Sequence, residues 1–448
     1  MFESGHCIVG AITLAAVLGG CTVHPPGERE ERAAVMKAGA PFAPRSEARE
    51  LPPLPPEASP DDLVRYAMLA NGDLEQRYWQ WRAAVEQVPQ DATQTTTLNV
   101  ALGTTFMRGH TDARGTTLTL GNDPMTDIKL PGKLDAAGRL SLENARAAGL
   151  RFRKAQLELR NKVLSGYYDY ALTAELIRLE QANAQLLRTT ATVVGARNRA
   201  GAAGQQDLLK AQNEVDVSAN DIANMQAQLP AQRALLNALL SREPDAPISV
   251  PTTLPEVRPL TYDDSQLLTM AAERNPELAA LAAELRGRRD AIRLARLQYI
   301  PDFNLSLGTD LAGVTQSVLG QATLPLLRRE ALDAAVAQAE ANLRATESMR
   351  RQTRNDLNAQ IIMDISTLRN ADRQLDLFEH TILPRIRQVV TVTRLAYESG
   401  RTTLLDLLDS QRSLIAIERL VANLRITRAK RLADLDTLTA HRLDLAPE

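Results

Sequence analysis

Two aspartates near the C-terminal end of the chain form the clearest chemical pattern in the sequence. Asp406 and Asp409 are three positions apart, so on a helix they share one face and together attract cations. The pattern Asp-Leu-Leu-x-x-Gln that begins at Asp406 also begins at Asp207. An aspartate in the first turn of a helix also complements the positive end of the helix dipole. For Asp207 and Asp406 the sequence leaves both roles open.

Cys21 is a second candidate for chemistry, this time covalent modification. It follows an apolar run, residues 8–18, which is too short to span a bilayer and has the length of a signal-peptide core. The run leads into Leu-Gly-Gly-Cys21, which resembles a bacterial lipobox, and Thr22 resembles the residue that follows the cysteine in lipoproteins sorted to the outer membrane. We therefore expect a signal peptide over 1–20 and acylation of Cys21. The alternative is an ordinary apolar N-terminus with an incidental cysteine.

Other reactive residue types are sparse and scattered. Both cysteines lie within the first 21 residues, so the rest of the chain has no thiol for a disulfide or a metal. No nucleophile, base and orienting group occur together, and the net charge of -2 gives no basic surface for nucleic acid. The sequence therefore predicts that the protein is not an enzyme and that it has no cofactor and no metal site. The five histidines are His6, His24, His110, His380 and His441.

The composition is typical of long helices. Aromatic residues make up 4% and charged residues 24%, and long stretches rich in Ala, Leu, Arg and Gln contain little Gly or Pro. Two proline-rich segments interrupt them. We interpret residues 21–60 as an extended, lipidated tether and residues 244–260 as a linker. The body is then divided into two halves, 61–243 and 261–442.

The two halves are predicted to be copies of one unit, because landmarks recur in the same order. The fold class is therefore mainly α with a small β part, arranged as two internal repeats. Each repeat is predicted to contain a helix, a strand hairpin, a long helix, a turn at a glycine and a returning helix. In the first repeat these elements fall at 62–88, about 95–131, 131–201, Gly201 and 206–240; in the second they fall at 264–298, about 302–325, 325–400, Gly400 and 402–438.

This order of elements, and above all the segment Tyr397–Asp409 with the sequence YESGRTTLLDLLD, resembles the TolC family of outer-membrane efflux proteins. The resemblance implies a homotrimer in which long helices form a coiled-coil barrel through the periplasm and strands form a membrane β-barrel. It implies a passive outer-membrane channel for a tripartite efflux or type I export system. Its partners would be outer-membrane lipid, a periplasmic adaptor protein and an inner-membrane pump.

The resemblance also suggests roles for individual residues. It implies that a gate at the periplasmic tip is formed by Asp207, Tyr397, Arg401, Asp406 and Asp409, although the family's arginine lies one position after Arg401. It further implies that the turns and the adaptor-docking surface include Gly201, Gly400, Thr402 and Leu404.

A rival interpretation is a lipid-anchored periplasmic helical scaffold that forms no pore. It shares the long helices but gives no reason for two strand hairpins between them. Conductance distinguishes the two interpretations.

Overall fold

The structure is a computed structural model that describes residues 22–44, 49, 51–55, 57–95, 97–104, 116–122, 127–251, 253–256, 260–310 and 316–442. As predicted, it is mostly helical with a small sheet. The helices are α1 (Glu28–Gly39), α2 (Pro60–Ala70), α3 (Gly72–Ala92), α4 (Pro131–Arg199), α5 (Gln205–Leu239), α6 (Asp264–Arg274), α7 (Pro276–Leu297), α8 (Arg329–Leu377), α9 (Leu383–Glu398) and α10 (Leu404–Thr439). The strands are β1 (Leu98–Thr104), β2 (Thr116–Asn122), β3 (Asp302–Asp310) and β4 (Gln316–Thr323).

The helix that precedes each strand hairpin is broken in two, which corrects the single helices predicted over 62–88 and 264–298. The breaks fall at Asn71 and Asn275, both of which have extended backbone. Their side-chain amides donate hydrogen bonds to carbonyls at the far ends of the returning helices, at 2.9 Å for Asn71 and 3.0 Å for Asn275. Each break is therefore fixed by the same contact in the two halves of the sequence.

The four strands form one antiparallel sheet in the order β1-β2-β3-β4. Directly paired residues share a face, so Val100, Leu120, Leu307 and Val318 form one cross-strand row. The predicted alternation is confirmed, because the adjacent row on the opposite face consists of the small residues Ala101, Thr119, Gly308 and Ser317. The apolar row is exposed at its ends, and Val318 is 74% exposed. The predicted hairpin turns at 109–115 and 311–313 lie outside the described residues.

The long helices are confirmed, with one interruption in the second half. Helix α4 has 69 residues without a break, whereas α8 and α9 are separated by a π-helical turn at Phe378–Ile382. Pro384 has no backbone N–H to donate and its ring crowds the preceding turn. A π turn is one way in which a helix accommodates such a residue, and the continuous helix predicted over 325–400 is corrected accordingly.

The proline-rich N-terminal segment contains a helix, which corrects the extended tether predicted over 21–60. Prolines flank α1 without entering it, and its first turn is acidic while Lys37 lies in its last turn, as the helix dipole favours. The carboxylate of Glu31 accepts a hydrogen bond from Nε1 of Trp81 at 2.8 Å, and Arg32 pairs with Glu86 at 3.0 Å. Tertiary contacts therefore hold this segment against α3.

The chain forms two compact units, and each draws on both halves of the sequence. In the first unit, the ring of Trp81 stacks on Phe152 with centroids 5.7 Å apart, and Lys133 pairs with Asp302 at 2.7 Å. The first unit is composed of Met1–Ala40, Arg77–Phe152 and Glu277–Thr353, and the second of Pro41–Gln76, Arg153–Pro276 and Arg354–Glu448.

Candidate functional site

The candidate site consists of two helical tips in the second unit. The first tip, residues 197–207, joins α4 to α5, and the second tip, residues 396–406, joins α9 to α10. Gly201 and Gly400 have φ of 72° and 76°, a left-handed conformation that glycine adopts without strain. In both turns the amide after the glycine donates to the carbonyl five residues back at 2.8 Å. The predicted turn glycines are thus confirmed, and both end their helix in the same Schellman geometry.

The returning helices begin differently at the two tips. At the second tip, the hydroxyl of Thr403 accepts from the Asp406 amide at 3.2 Å, and the Asp406 carboxylate accepts from the Thr403 amide at 3.1 Å. This is a capping box. The hydroxyls of Thr403 and Thr402 also donate to the Asp406 carboxylate at 2.6 and 2.7 Å. At the first tip the N-cap residue of α5 is Gly204, which has no side chain to cap the helix.

These hydrogen bonds determine the ionisation of Asp406. The Thr403 hydroxyl, then the Thr402 hydroxyl and the Thr403 amide, stabilise its charged form and lower its pKa below the ordinary aspartate value. The sequence left two roles open for Asp406, and the structure shows one of them: Asp406 stabilises the start of α10. Its part in a gate stays a prediction.

A hydrophobic cluster lies beneath the tips and includes residues from both hairpins. Tyr397 from α9 and Leu404, Leu407 and Leu408 from α10 pack there with residues of α4 and α5. Leu404 is only 3% exposed, so its side chain fills the core of this cluster, and its part in adaptor docking stays a prediction. Its neighbour Leu405 is 62% exposed and is the leucine that the tip presents to solvent.

Tyr397 is enclosed among charged residues of the first tip. Its side chain is 4% exposed, and its hydroxyl is buried without a hydrogen-bond partner. Burial raises the pKa of this hydroxyl, with Arg197 opposing and Asp207 adding to the shift. The charge of Asp207, a second residue predicted for the gate, thus contributes to the raised pKa of Tyr397.

The other residues predicted for the gate, Arg401, Asp406 and Asp409, are exposed. Asp409 is exposed one turn after Asp406. Arg401 is exposed, and its Nε donates to the Ser399 hydroxyl at 3.0 Å within the same turn. Thr402 donates to Asp406. In the described part of one chain, Arg401 therefore donates no hydrogen bond to a carboxylate predicted for the gate.

The sequence analysis did not single out two charged residues of the second unit, Arg197 at the first tip and Glu180 further back along α4. Glu180 is 3% exposed on α4 and accepts from Ser218 of α5 at 2.7 Å and from Arg419 of α10. It therefore joins three helices at one carboxylate. Arg197 of α4 lies over the Tyr397 ring, with its guanidinium carbon 4.7 Å from the centroid. The sequence did contain a signal for Arg197. It lies in the last helical turn before Gly201, where a positive charge interacts favourably with the helix dipole.

Cys21, the predicted lipidation site, lies outside the described residues. The residues that follow it are fixed in the first unit. The amide of Val23 donates to the carbonyl of Ala92 at 2.9 Å, and the Thr22 and Thr93 hydroxyls are 3.2 Å apart. The described chain therefore starts beside the junction between α3 and β1.

The described part of the chain contains neither a membrane-spanning helix nor a cluster of metal ligands. None of the helices in it is both long and apolar enough to cross a membrane. In the same residues, His, Cys, Asp and Glu side chains do not gather in groups of three that could hold a metal ion.

Part of the chain matches a known protein family. Residues 267–441 match the family model described as outer membrane efflux protein. Among curated proteins, the chain is similar to the cobalt-zinc-cadmium resistance protein CzcC of Cupriavidus metallidurans, with 26% identity over 314 residues that cover 68% of this chain and 72% of that protein.

Solved structures share the fold. The outer-membrane channel OprN superposes with a TM-score of 0.73 at 17% identity, covering 86% of this chain and 91% of that one. CusC, solved in a study of its folding and transmembrane channel formation, superposes with a TM-score of 0.72 at 18% identity, covering 85% and 91%.

Proposed function

Because this chain belongs to the outer membrane efflux protein family, we propose that three copies form an outer-membrane exit channel, the outer component of a tripartite efflux or type I export system. The channel is a passive conduit, and the proposal includes no catalytic activity and no cofactor. The proposed channel is supported by the sheet. One face has an apolar row that is exposed at its ends, and the adjacent row on the other face consists of small residues. An outward apolar face and an inward polar face are what a membrane barrel requires.

The edges of the sheet support assembly. In the described residues, β1 and β4 pair on one side only, and such edges are available to a strand of another chain. Three copies of a four-stranded sheet supply twelve strands, an even number within the range of membrane barrels. The coiled-coil barrel of the proposed trimer would be built from α4, α5, α8, α9 and α10.

The lipid anchor belongs to the same proposal. Acylation of Cys21 would attach the chain to the outer membrane, and Thr22 and Val23 are hydrogen-bonded beside the start of β1. The anchored end would therefore lie level with the base of the proposed barrel. This contact supports a short, fixed connection between lipid and sheet.

The tips are proposed as the closed, periplasmic end of the channel. Asp207, Asp406 and Asp409 from each copy would gather around a narrow opening that favours cations, and Tyr397 with Arg401 would complete the constriction. Opening requires a partner that binds the open arrangement more tightly than the closed one. The proposed partner is a periplasmic adaptor bound to an inner-membrane pump. Gly201, Gly400, Thr402 and the exposed Leu405 are its proposed contacts.

A charge placed on either face of β4 tests the channel. The Val318→Lys variant puts a charge on the proposed lipid face and Ser317→Lys puts the same charge on the proposed lumen face. Lysine near the middle of a membrane barrel costs about 2–4 kcal/mol on the lipid face. We expect wild type and Ser317→Lys in planar bilayers to produce single-channel current steps, and Val318→Lys to produce none. A wild type that inserts as a folded protein and never produces a current step would favour the scaffold without a pore.

A further inference from the structure

One side chain connects the two tips. Arg197, in the last turn of α4, donates through Nη1 to the carbonyl oxygen of Tyr397 in α9. Its Nη2 donates to the carbonyl oxygen of Ala202 in the first turn, at 3.4 Å. The same guanidinium covers the ring of Tyr397 at 4.7 Å. Arg197 therefore contacts both turns at once, through two hydrogen bonds and one stacking contact.

The electrostatics of the tips favour a cation at this place. The carbonyls at the C-terminal end of a helix carry partial negative charge, and the Tyr397 carbonyl is among the last of α9. Arg197 brings its positive charge to the end of its own helix and to the end of α9. A planar guanidinium provides the stacking surface and the two separate donors together, which an ammonium group cannot do.

The neighbouring arginines make no such connection. Arg401 donates to Ser399 within the second tip. Arg199 is exposed at the end of α4, with a charge identical to that of Arg197 and only two residues away. Substitutions of Arg199 and Arg401 therefore distinguish the effect of the Arg197 contacts from the effect of any positive charge near the tips.

We propose that Arg197 is the positioning residue that holds the tip of the second hairpin against the first in the closed channel. This inference rests on the proposed function. Movement of α9 and α10 away from α4 must break the bond from Arg197 to the Tyr397 carbonyl and remove the guanidinium from the ring. An opening partner has to offset the loss of these contacts.

The test is the open probability of single channels of the purified protein in planar bilayers. Arg197→Gln removes the charge, the stacking and the second donor, so we expect an open probability about tenfold above wild type, because hydrogen bonds from charged groups are stronger than those from neutral ones. Arg197→Lys keeps the charge and one donor, and we expect about a threefold increase. Arg199→Gln, the matched control, should equal wild type. Each variant must first show wild-type helix content and wild-type assembly by mass.

The outcomes separate the inference from the proposed function. Wild type without channels contradicts the proposed function itself. Channels in wild type with an unchanged Arg197→Gln overturn the inference and leave the function standing. An equal increase in Arg199→Gln, or an increase in Arg401→Gln with none in Arg197→Gln, also overturns it. If Arg197→Gln does not assemble, Arg197→Lys decides by the presence or absence of its smaller increase.

Discussion

The two helical tips share a turn and differ in the helix start that follows it. Both glycines are left-handed and both turns have the same hydrogen bonds. Thr403 and Asp406 then cap α10 reciprocally, whereas α5 begins at Gly204 without a side-chain cap. Two similar sequence patterns therefore provide one helix start that is capped by side chains and one that has no side-chain cap.

The largest expected difference between the tips concerns Tyr397 and the equivalent position in the first tip, Asn198. Tyr397→Ala removes a buried ring, with an expected loss of about 3–5 kcal/mol in the free energy of local opening. Asn198→Ala removes one hydrogen bond, from Nδ2 to the Ala203 carbonyl at 2.9 Å, and should cost about 1 kcal/mol. Hydrogen exchange of the tip amides measures both. Equal losses of opening free energy in the two variants would show that the buried ring of Tyr397 does not stabilise the second tip.

The glycines should respond equally, because the two turns are alike. An added Cβ has open space at Gly201 and only an ordinary contact, 3.6 Å from Arg197 Nη2, at Gly400. The cost of alanine is therefore backbone strain, about 1–2 kcal/mol at each site. Thermal unfolding and tip hydrogen exchange of Gly201→Ala and Gly400→Ala provide the measurement. A much larger loss at one glycine would contradict the equivalence of the turns.

The helix starts should respond unequally. Thr403→Ala removes the cap of α10 and should destabilise the start of that helix by about 1 kcal/mol. Gly204→Ser places a hydroxyl three residues before Asp207, the same spacing as the cap of α10, and nothing lies within 4 Å of the new Cβ. It should stabilise the start of α5 by a few tenths of a kcal/mol, at roughly the limit of measurement. Protection of the first-turn amides reports on both variants, and a loss on Gly204→Ser would rule out a shared capping geometry.

The smallest expected effect is a pH dependence confined to the second tip. The pKa of Asp406 is lowered in the folded chain by the threonine hydrogen bonds, so its contribution to stability is present above the ordinary aspartate value of 3.8 and is lost as the pH falls through the lower folded value. Amides at the start of α10 should lose protection in that range, and Thr402→Val should reduce the effect. Unchanged protection at low pH would mean that the carboxylate hydrogen bonds contribute nothing.

Sequence periodicity was sufficient for the long helices and their turns, because apolar spacing and a lone glycine are local signals. It also contained signals that the prediction did not use. Pro276 disfavours helix at Asn275, where the predicted helix proved to be broken. Leu404 shares the i, i+3, i+4 spacing of a buried face with Leu407 and Leu408, which explains why Leu405 is the exposed leucine.

Other features depend on tertiary contacts that no local pattern displays. Helix α1 lies in a proline-rich segment and is held by bonds from Glu31 to Trp81 and from Arg32 to Glu86. Arg197 is hydrogen-bonded to Tyr397, which lies 200 residues further along the chain. The alternation of the strands could be read from sequence, but their order in one sheet required the pairing of β2 with β3.

The proposed channel, closed at its tips, can be tested by the current through single molecules of the purified, full-length protein in a planar bilayer, together with its assembly mass in detergent. We expect a trimer whose current shows discrete steps and that is mostly closed in the absence of a partner. A folded protein that inserts into the bilayer and never produces current steps would contradict it.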